Sequence, residues 1–220
     1  MRAKTIILKA LKRRKRELRI TNPNNSLSES HMQKADHNLV VMTDLEKFGH
    51  EDWIVIVAYY AMYHSALAVL SKIGLDSKDH ATTVAVLEYF FGEQIEKDLL
   101  KEFRKLKDKK EFLEEKYIDY LWKMKSDREK VQYGVSINYK ETNKIIKNSR
   151  DFVTKIKLLL EELDEKIISV ITKEIKDLKE SAKSFSKITK SLKESAKKAG
   201  FKEREVSGVI NRYRTNNKND

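Results

Sequence analysis

HEDWIVIVAYYAMYHSALAVLSKIGL, residues His50–Leu75, decides the fold. Within it, Trp53–Leu70 is eighteen residues long, and His64 and Ser65 are the strongly polar interruptions. That length approaches a membrane span, but Tyr59, Tyr60 and Tyr63 sit mid-segment, where a bilayer helix favours aliphatic residues. A helix that is apolar all round also suits the centre of a soluble bundle with amphipathic partners.

The flanking segments supply such partners. In residues 26–48, Met32, Ala35, Leu39, Met42 and Leu45 recur at spacings of three and four, with Ser28 and Ser30 available as caps and Gly49 as the stop. From Asp79 a second stripe runs through Val84, Leu87, Phe91, Ile95, Leu99 and Phe103, with Gly92 as a candidate kink. The charged stretch 104–110 reads as a loop. Residues 112–130 are again amphipathic through Leu113, Tyr117, Leu121 and Met124, ending at Gly134. Asn138 and Glu141 have capping-box spacing for the helix that follows. From Ile145 to Ala196 one apolar stripe continues with a mean step of about 3.6 residues, which predicts one straight helix or two packed ones, not a coiled coil. The expected fold class is therefore all-α. Segment Trp53–Leu70 is expected to be its buried core, in a cytoplasmic protein with no membrane partner.

Composition narrows the chemistry. The 220 residues contain no cysteine, one proline and six glycines. Disulfide, thiolate-zinc and iron–sulfur sites are thereby excluded, and a turn-rich β fold is disfavoured. His31, His37, His50, His64 and His80 show no His-x3-His spacing, so no metal site or cofactor is expected. A Gly-rich phosphate loop and a Gly-x-Ser-x-Gly elbow are also missing from the sequence. The net charge of +12 is concentrated at the ends: residues 1–20 carry nine Lys/Arg against one acid, and residues 179–220 carry twelve against five, which leaves −3 between them. Basic flanks of this kind attract polyanions by counterion release. Arg13, Arg14 and Arg16, inside an acid-free run, are the N-terminal candidates for nucleic-acid contact.

Two strings carry a family resemblance: YYAMYH inside His50–Leu75, and DREKVQYG at Asp127–Gly134. They resemble the second helix and the end of the fourth helix of the HEPN family. Asp79-His80 resembles the start of the element between them, and Lys147–Leu160 resembles the closing helix. The resemblance spans roughly residues 11–163. It implies an up-and-down bundle of four or five helices, here with a long C-terminal helix. The implied organisation is a basic lead-in at 1–25, the bundle at 26–163, a helical extension at 164–190 and a basic tail at 191–220.

The resemblance further implies a homodimer and, as in many members, metal-independent ribonuclease activity. In those, an arginine is followed four to six residues later by a histidine. Cleavage through a ribose 2′-OH needs a proton acceptor near pH 7 and a cation for charge on phosphorus. Arg128 matches the cation. The histidine position holds Tyr133, and an unperturbed tyrosine ionises near pH 10, a penalty of roughly three powers of ten for a general base at neutrality. His64 and His80 are the remaining catalytic candidates within the family pattern. The resemblance also implies RNA as ligand and, in toxin–antitoxin pairs, a minimal nucleotidyltransferase as partner, with Tyr133 and Tyr139 as contact or modification sites.

The tail suggests a second reading. Ala196, Gly200, Val206 and Val209 have helix-turn-helix spacing, which would present Lys202, Arg204, Arg212 and Arg214 to duplex DNA. Gly208 within the reading helix opposes this by about 1 kcal/mol. A dimeric DNA-binding regulator and a non-catalytic HEPN scaffold are thus the alternatives to an RNA-directed protein.

Overall fold

A computed structural model describes residues 2–12, 17–93, 113–134 and 141–198. Among the described residues there are seven helices and one two-stranded ribbon: α1 (Arg2–Lys12), β1 (Leu18–Ile20), α2 (Asn25–Lys47), α3 (Glu51–Lys72), β2 (Leu75–Ser77), α4 (His80–Phe91), α5 (Glu115–Tyr133), α6 (Thr142–Glu162) and α7 (Glu165–Lys198). The chain divides into two units, Met1–Lys176 and Asp177–Asp220, and α7 contributes to both.

Helix α3 is the hub of the first unit, packing against α2, α4, α5, α6 and β2. By length and composition it could cross a membrane, but 72% of its most apolar window is buried inside the fold. Ile54, Val55, Ala58, Tyr59, Ala61, Met62, Ala66, Val69 and Leu70 are all within its buried face. Small residues let the neighbours approach closely: Ala61 meets Ala35 of α2 and Val153 of α6 in one apolar cluster. Burying its larger side chains, such as Ile54, Met62, Val69 and Leu70, contributes on the order of 1.5–3 kcal/mol each, which is why this helix organises the bundle.

Local signals set the helix ends. The Asn24 side chain, not Ser28 or Ser30, caps α2 by accepting from Leu27 N at 2.8 Å. Ser28 is buried instead and donates to the Ala68 carbonyl of α3. Asp79 caps α4, its carboxylate accepting from both the backbone N–H and the hydroxyl of Thr82 at 2.8 Å. Gly92 ends α4 in an extended conformation, and Ile95, Leu99 and Phe103 of the expected stripe lie outside the described residues. Helix α6 starts one turn later than the capping box implies: Glu141 is the N-cap, in the left-handed region at φ 75°, and Asn138 lies outside the described residues.

The long C-terminal stripe is two helices. Leu163 leaves helical geometry at ψ 85°, and the Asp164 carboxylate accepts from Ile167 N at 2.9 Å to open α7. The apolar phase carries through this break, with Leu160, Leu163, Ile167 and Ile171 all buried, so periodicity conceals it. In the second unit, residues 177–198 continue α7 with Leu178 and Ala182 buried and exposed Lys183–Glu180 and Lys190–Glu194 pairs. The loop expected at 104–110 and the reader expected at 200–214 lie outside the described residues.

The N-terminal lead-in contains structure of its own. Helix α1 buries Ala3, Ile7 and Ala10 and packs on α4. The β1–β2 ribbon is antiparallel, pairing Leu18 with Ser77, Arg19 with Asp76 and Ile20 with Leu75. Arg19 Nε donates to the Asp76 carboxylate at 2.8 Å across it. Gly74 makes the turn into β2 at φ +76°, where an added Cβ would meet the Thr21 carbonyl at 2.8 Å. Only glycine combines that dihedral with so close an approach.

Candidate functional site

The polar residues of the bundle gather along α3. Its period places Tyr59 and Tyr63 one above the other, with rings nearly parallel at 14° and centroids 5.8 Å apart. Opposite them stands His80, the first residue of α4, held there by the Asp79 cap. The His80 ring stacks on Tyr63 with centroids 4.2 Å apart, and its Nδ1 is hydrogen-bonded to the Tyr59 hydroxyl. From α5, Arg128 completes the group. Its guanidinium carbon lies 5.4 Å from the Tyr59 ring centre and 5.9 Å from that of Tyr60.

Arg128 is 7% exposed. Its Nη1 donates to Gln132 Oε1 at 2.5 Å, Nη2 lies 3.7 Å from Glu129 Oε1, and Nε is buried without a hydrogen-bond partner among the described residues. Guanidinium is the cation suited to this setting, since it is weakly hydrated and stacks on aromatic faces. The neighbouring Asp127, also buried, is paired outward with Lys123 at 3.2 Å and Lys130 at 3.6 Å. It therefore does not neutralise Arg128 through any ion pair seen among the described residues.

The environment assigns the protons. Burial, then the neighbouring Tyr63, pushes the Tyr59 phenol far above its ordinary range. His80 is held below the usual imidazole value, chiefly by burial and then by the Arg128 and Lys125 cations. The phenol accordingly keeps its proton and the imidazole is neutral. With the Tyr59 hydroxyl as donor, His80 accepts at Nδ1 and carries its hydrogen on Nε2. Arg128 and His80 thus form a fixed cation beside a neutral N–H donor.

The two other catalytic candidates stand elsewhere. Tyr133, at the histidine position of the motif, is 77% exposed at the last residue of α5. Gln132, one residue earlier, takes the hydrogen bond with Arg128. His64 faces α2, where its Nδ1 lies 3.1 Å from Nδ1 of His31. Burial, then His31 and Lys34, lowers the His64 pKa to about 4. His31 is also lowered by burial, partly offset by Asp76. The basic candidates Arg13, Arg14, Arg16, Lys202, Arg204, Arg212 and Arg214 lie outside the described residues. Among the described residues no group of three or more His, Asp or Glu side chains is placed to hold a metal ion.

Sequence reasoning passed over Tyr59, Tyr60, Tyr63 and Gln132 as site residues. A signal existed for each: a tyrosine pair at i and i+4 on the apolar helix, and glutamine four residues after the motif arginine.

The site is thus a buried arginine and a histidine collected around one tyrosine-rich apolar helix of an all-helical bundle, the class of nucleotide-binding or ribonuclease-like domains to which the family match assigns it. The chain matches the HEPN domain family model over residues 28–163, and it belongs to the HEPN family. A search of curated proteins finds no match.

Proposed function

We propose that this chain is a cytoplasmic RNA-binding HEPN protein of the metal-independent ribonuclease type, a toxin–antitoxin component paired with a minimal nucleotidyltransferase and acting as a homodimer. The observation that carries the reading is the convergence of Arg128, Tyr59 and His80 in a bundle that matches the family over residues 28–163. Arg128 supplies the permanent cation that a phosphodiester requires. Neutral His80, its Nδ1 engaged by Tyr59, supplies an N–H donor at Nε2 and not a free base. Phosphate binding is therefore the stronger property of the group, and strand cleavage is slow because Tyr133 stands where the motif has its base. The exposure of Tyr133 at the end of α5 supports its role as the contact or modification point for the nucleotidyltransferase.

The test is fluorescence anisotropy with a labelled single-stranded RNA in EDTA, with cleavage followed on a denaturing gel. The wild-type chain binds, and Arg128→Gln weakens binding at least tenfold with helicity by circular dichroism unchanged. Equal binding by that variant would remove Arg128 from the function.

A further inference from the structure

On the α2 side of α3, two imidazoles converge. The His31 and His64 Nδ1 atoms are 3.1 Å apart, and the rings are tilted by 33° with centroids 5.4 Å apart. Ring nitrogens at this distance have two chemical explanations. One ring carries a proton on Nδ1 and donates it to the other, or both lone pairs converge on a bound cation. The spacing suits the second as well as the first. With metal–nitrogen bonds of about 2.0–2.1 Å, two imidazole ligands stand about 2.9 Å apart at a right angle and about 3.4 Å apart at the tetrahedral angle.

The pair is held in register from outside itself. Ser28, three residues before His31, donates its hydroxyl to the carbonyl of Ala68, four residues after His64, at 2.8 Å. That buried bond locks α2 against α3 at this level, so the two rings are positioned without a ligand. Both histidines are half-buried, which leaves an open side for water. The groups around them are Lys34 on the His64 side, Asp76 of β2 toward His31, and Tyr63, whose ring meets His64 edge-on at 6.2 Å. Both imidazoles are neutral at pH 7, the form that coordinates metal.

We propose that His31 and His64 form a two-imidazole site for a divalent transition-metal cation of the copper, nickel and zinc class, with water in the remaining positions. Binding moves the shared hydrogen from Nδ1 of one ring to its Nε2, so both Nδ1 lone pairs reach the metal with no net proton release from the imidazoles. Imidazole favours these cations, with copper(II) ahead of nickel(II) and zinc(II). Magnesium and calcium, which require oxygen ligands, do not bind here. His-x3-His searching misses the site because the two ligands come from different helices. It is separate from the Arg128 group, and its existence does not depend on RNA binding.

Isothermal titration calorimetry of the full chain in a non-chelating buffer at pH 7 tests this, with copper(II), zinc(II) and magnesium titrated separately. The expected result is binding of copper(II) and, more weakly, zinc(II), with no magnesium heat. His31→Asn and His64→Gln each lower copper affinity at least tenfold, whereas His37→Asn, an exposed histidine on the same helix, leaves it unchanged. Copper binding that survives both variants, or no binding by the wild type, overturns the site. Because either variant could perturb the helix pair, nitrogen-15 spectra of the wild-type histidine rings give an independent decision. Zinc must shift two Nδ1 resonances. The Nε2 of the ring that gains the hydrogen moves to the protonated range at the same time. An Nε2 that moves to the metal-bound range, or shifts at other histidines alone, contradict the proposal.

Discussion

Helix α3 carries a histidine environment on each of two flanks, and the two are opposites. Toward α4 and α5, His80 is hydrogen-bonded to Tyr59, stacks on Tyr63 and lies within the field of Arg128. Toward α2, His64 meets another imidazole at hydrogen-bonding distance, that of His31. Burial lowers both pKa values, but the causes added to burial differ: permanent cations for His80, chiefly a second titratable ring for His64. The first flank therefore keeps its positive charge at every physiological pH. The second acquires charge only in acid, and at a cost to the fold. The same residue type on two adjoining helices thus becomes part of a cationic group in one place and of a neutral pair in the other.

Arg128→Ala is expected to break this contrast most strongly. It removes the fixed cation and its contacts with two tyrosine rings, which lowers unfolding free energy by about 2 kcal/mol or more. Urea denaturation measures the loss, and His80 should titrate closer to its ordinary value in the variant. A stability change below about 0.5 kcal/mol would mean that the guanidinium packs there without consequence.

Acid probes the other flank. His64 has a folded pKa of about 4 against an unfolded value near 6.5, so the unfolded chain binds more protons between those limits. Stability from this group is complete above pH 6.5 and is lost as pH falls toward 4. Solvent screening at a half-buried ring reduces the loss to about 1–2 kcal/mol. His64→Gln should flatten the pH dependence of the thermal midpoint across that window, and an unaltered slope would refute the assignment.

Tyr59→Phe has a smaller effect, about 1 kcal/mol, because one hydrogen bond is lost. Nitrogen-15 spectra should show the hydrogen of His80 redistributing between its two ring nitrogens once Nδ1 has no donor. The smallest effect belongs to Tyr133→Phe, which should change stability by less than about 0.5 kcal/mol, as expected for an exposed hydroxyl. A larger loss would place Tyr133 in the fold and not at its surface.

These contrasts show how far the sequence could be read. The hub helix was legible because a run of apolar residues bounded by Gly49 and Gly74 has few alternatives once its neighbours are amphipathic. The family was legible from YYAMYH and DREKVQYG, strings long enough to be specific. The α6–α7 break was not, since Leu163 and Ile167 keep the apolar phase while the backbone turns at Leu163 and Asp164 caps the next helix. Strands β1 and β2 were not, because three-residue strands have too little alternation to read and are fixed by pairing across 57 positions between Arg19 and Asp76. At the site, the motif identified Arg128, but the residue beside it comes from a different helix. Spacing along the chain led to Tyr133, whereas packing brings His80 to the arginine through Tyr59 and leaves Tyr133 in solvent.

The central claim is that Arg128 directs this HEPN bundle to RNA without a metal. Binding of a labelled single-stranded RNA in EDTA, compared between the wild-type chain and folded Arg128→Gln, tests it most directly. The account predicts binding by the wild type and at least a tenfold loss in the variant. Equal affinities, or wild-type binding that vanishes in EDTA, would contradict it.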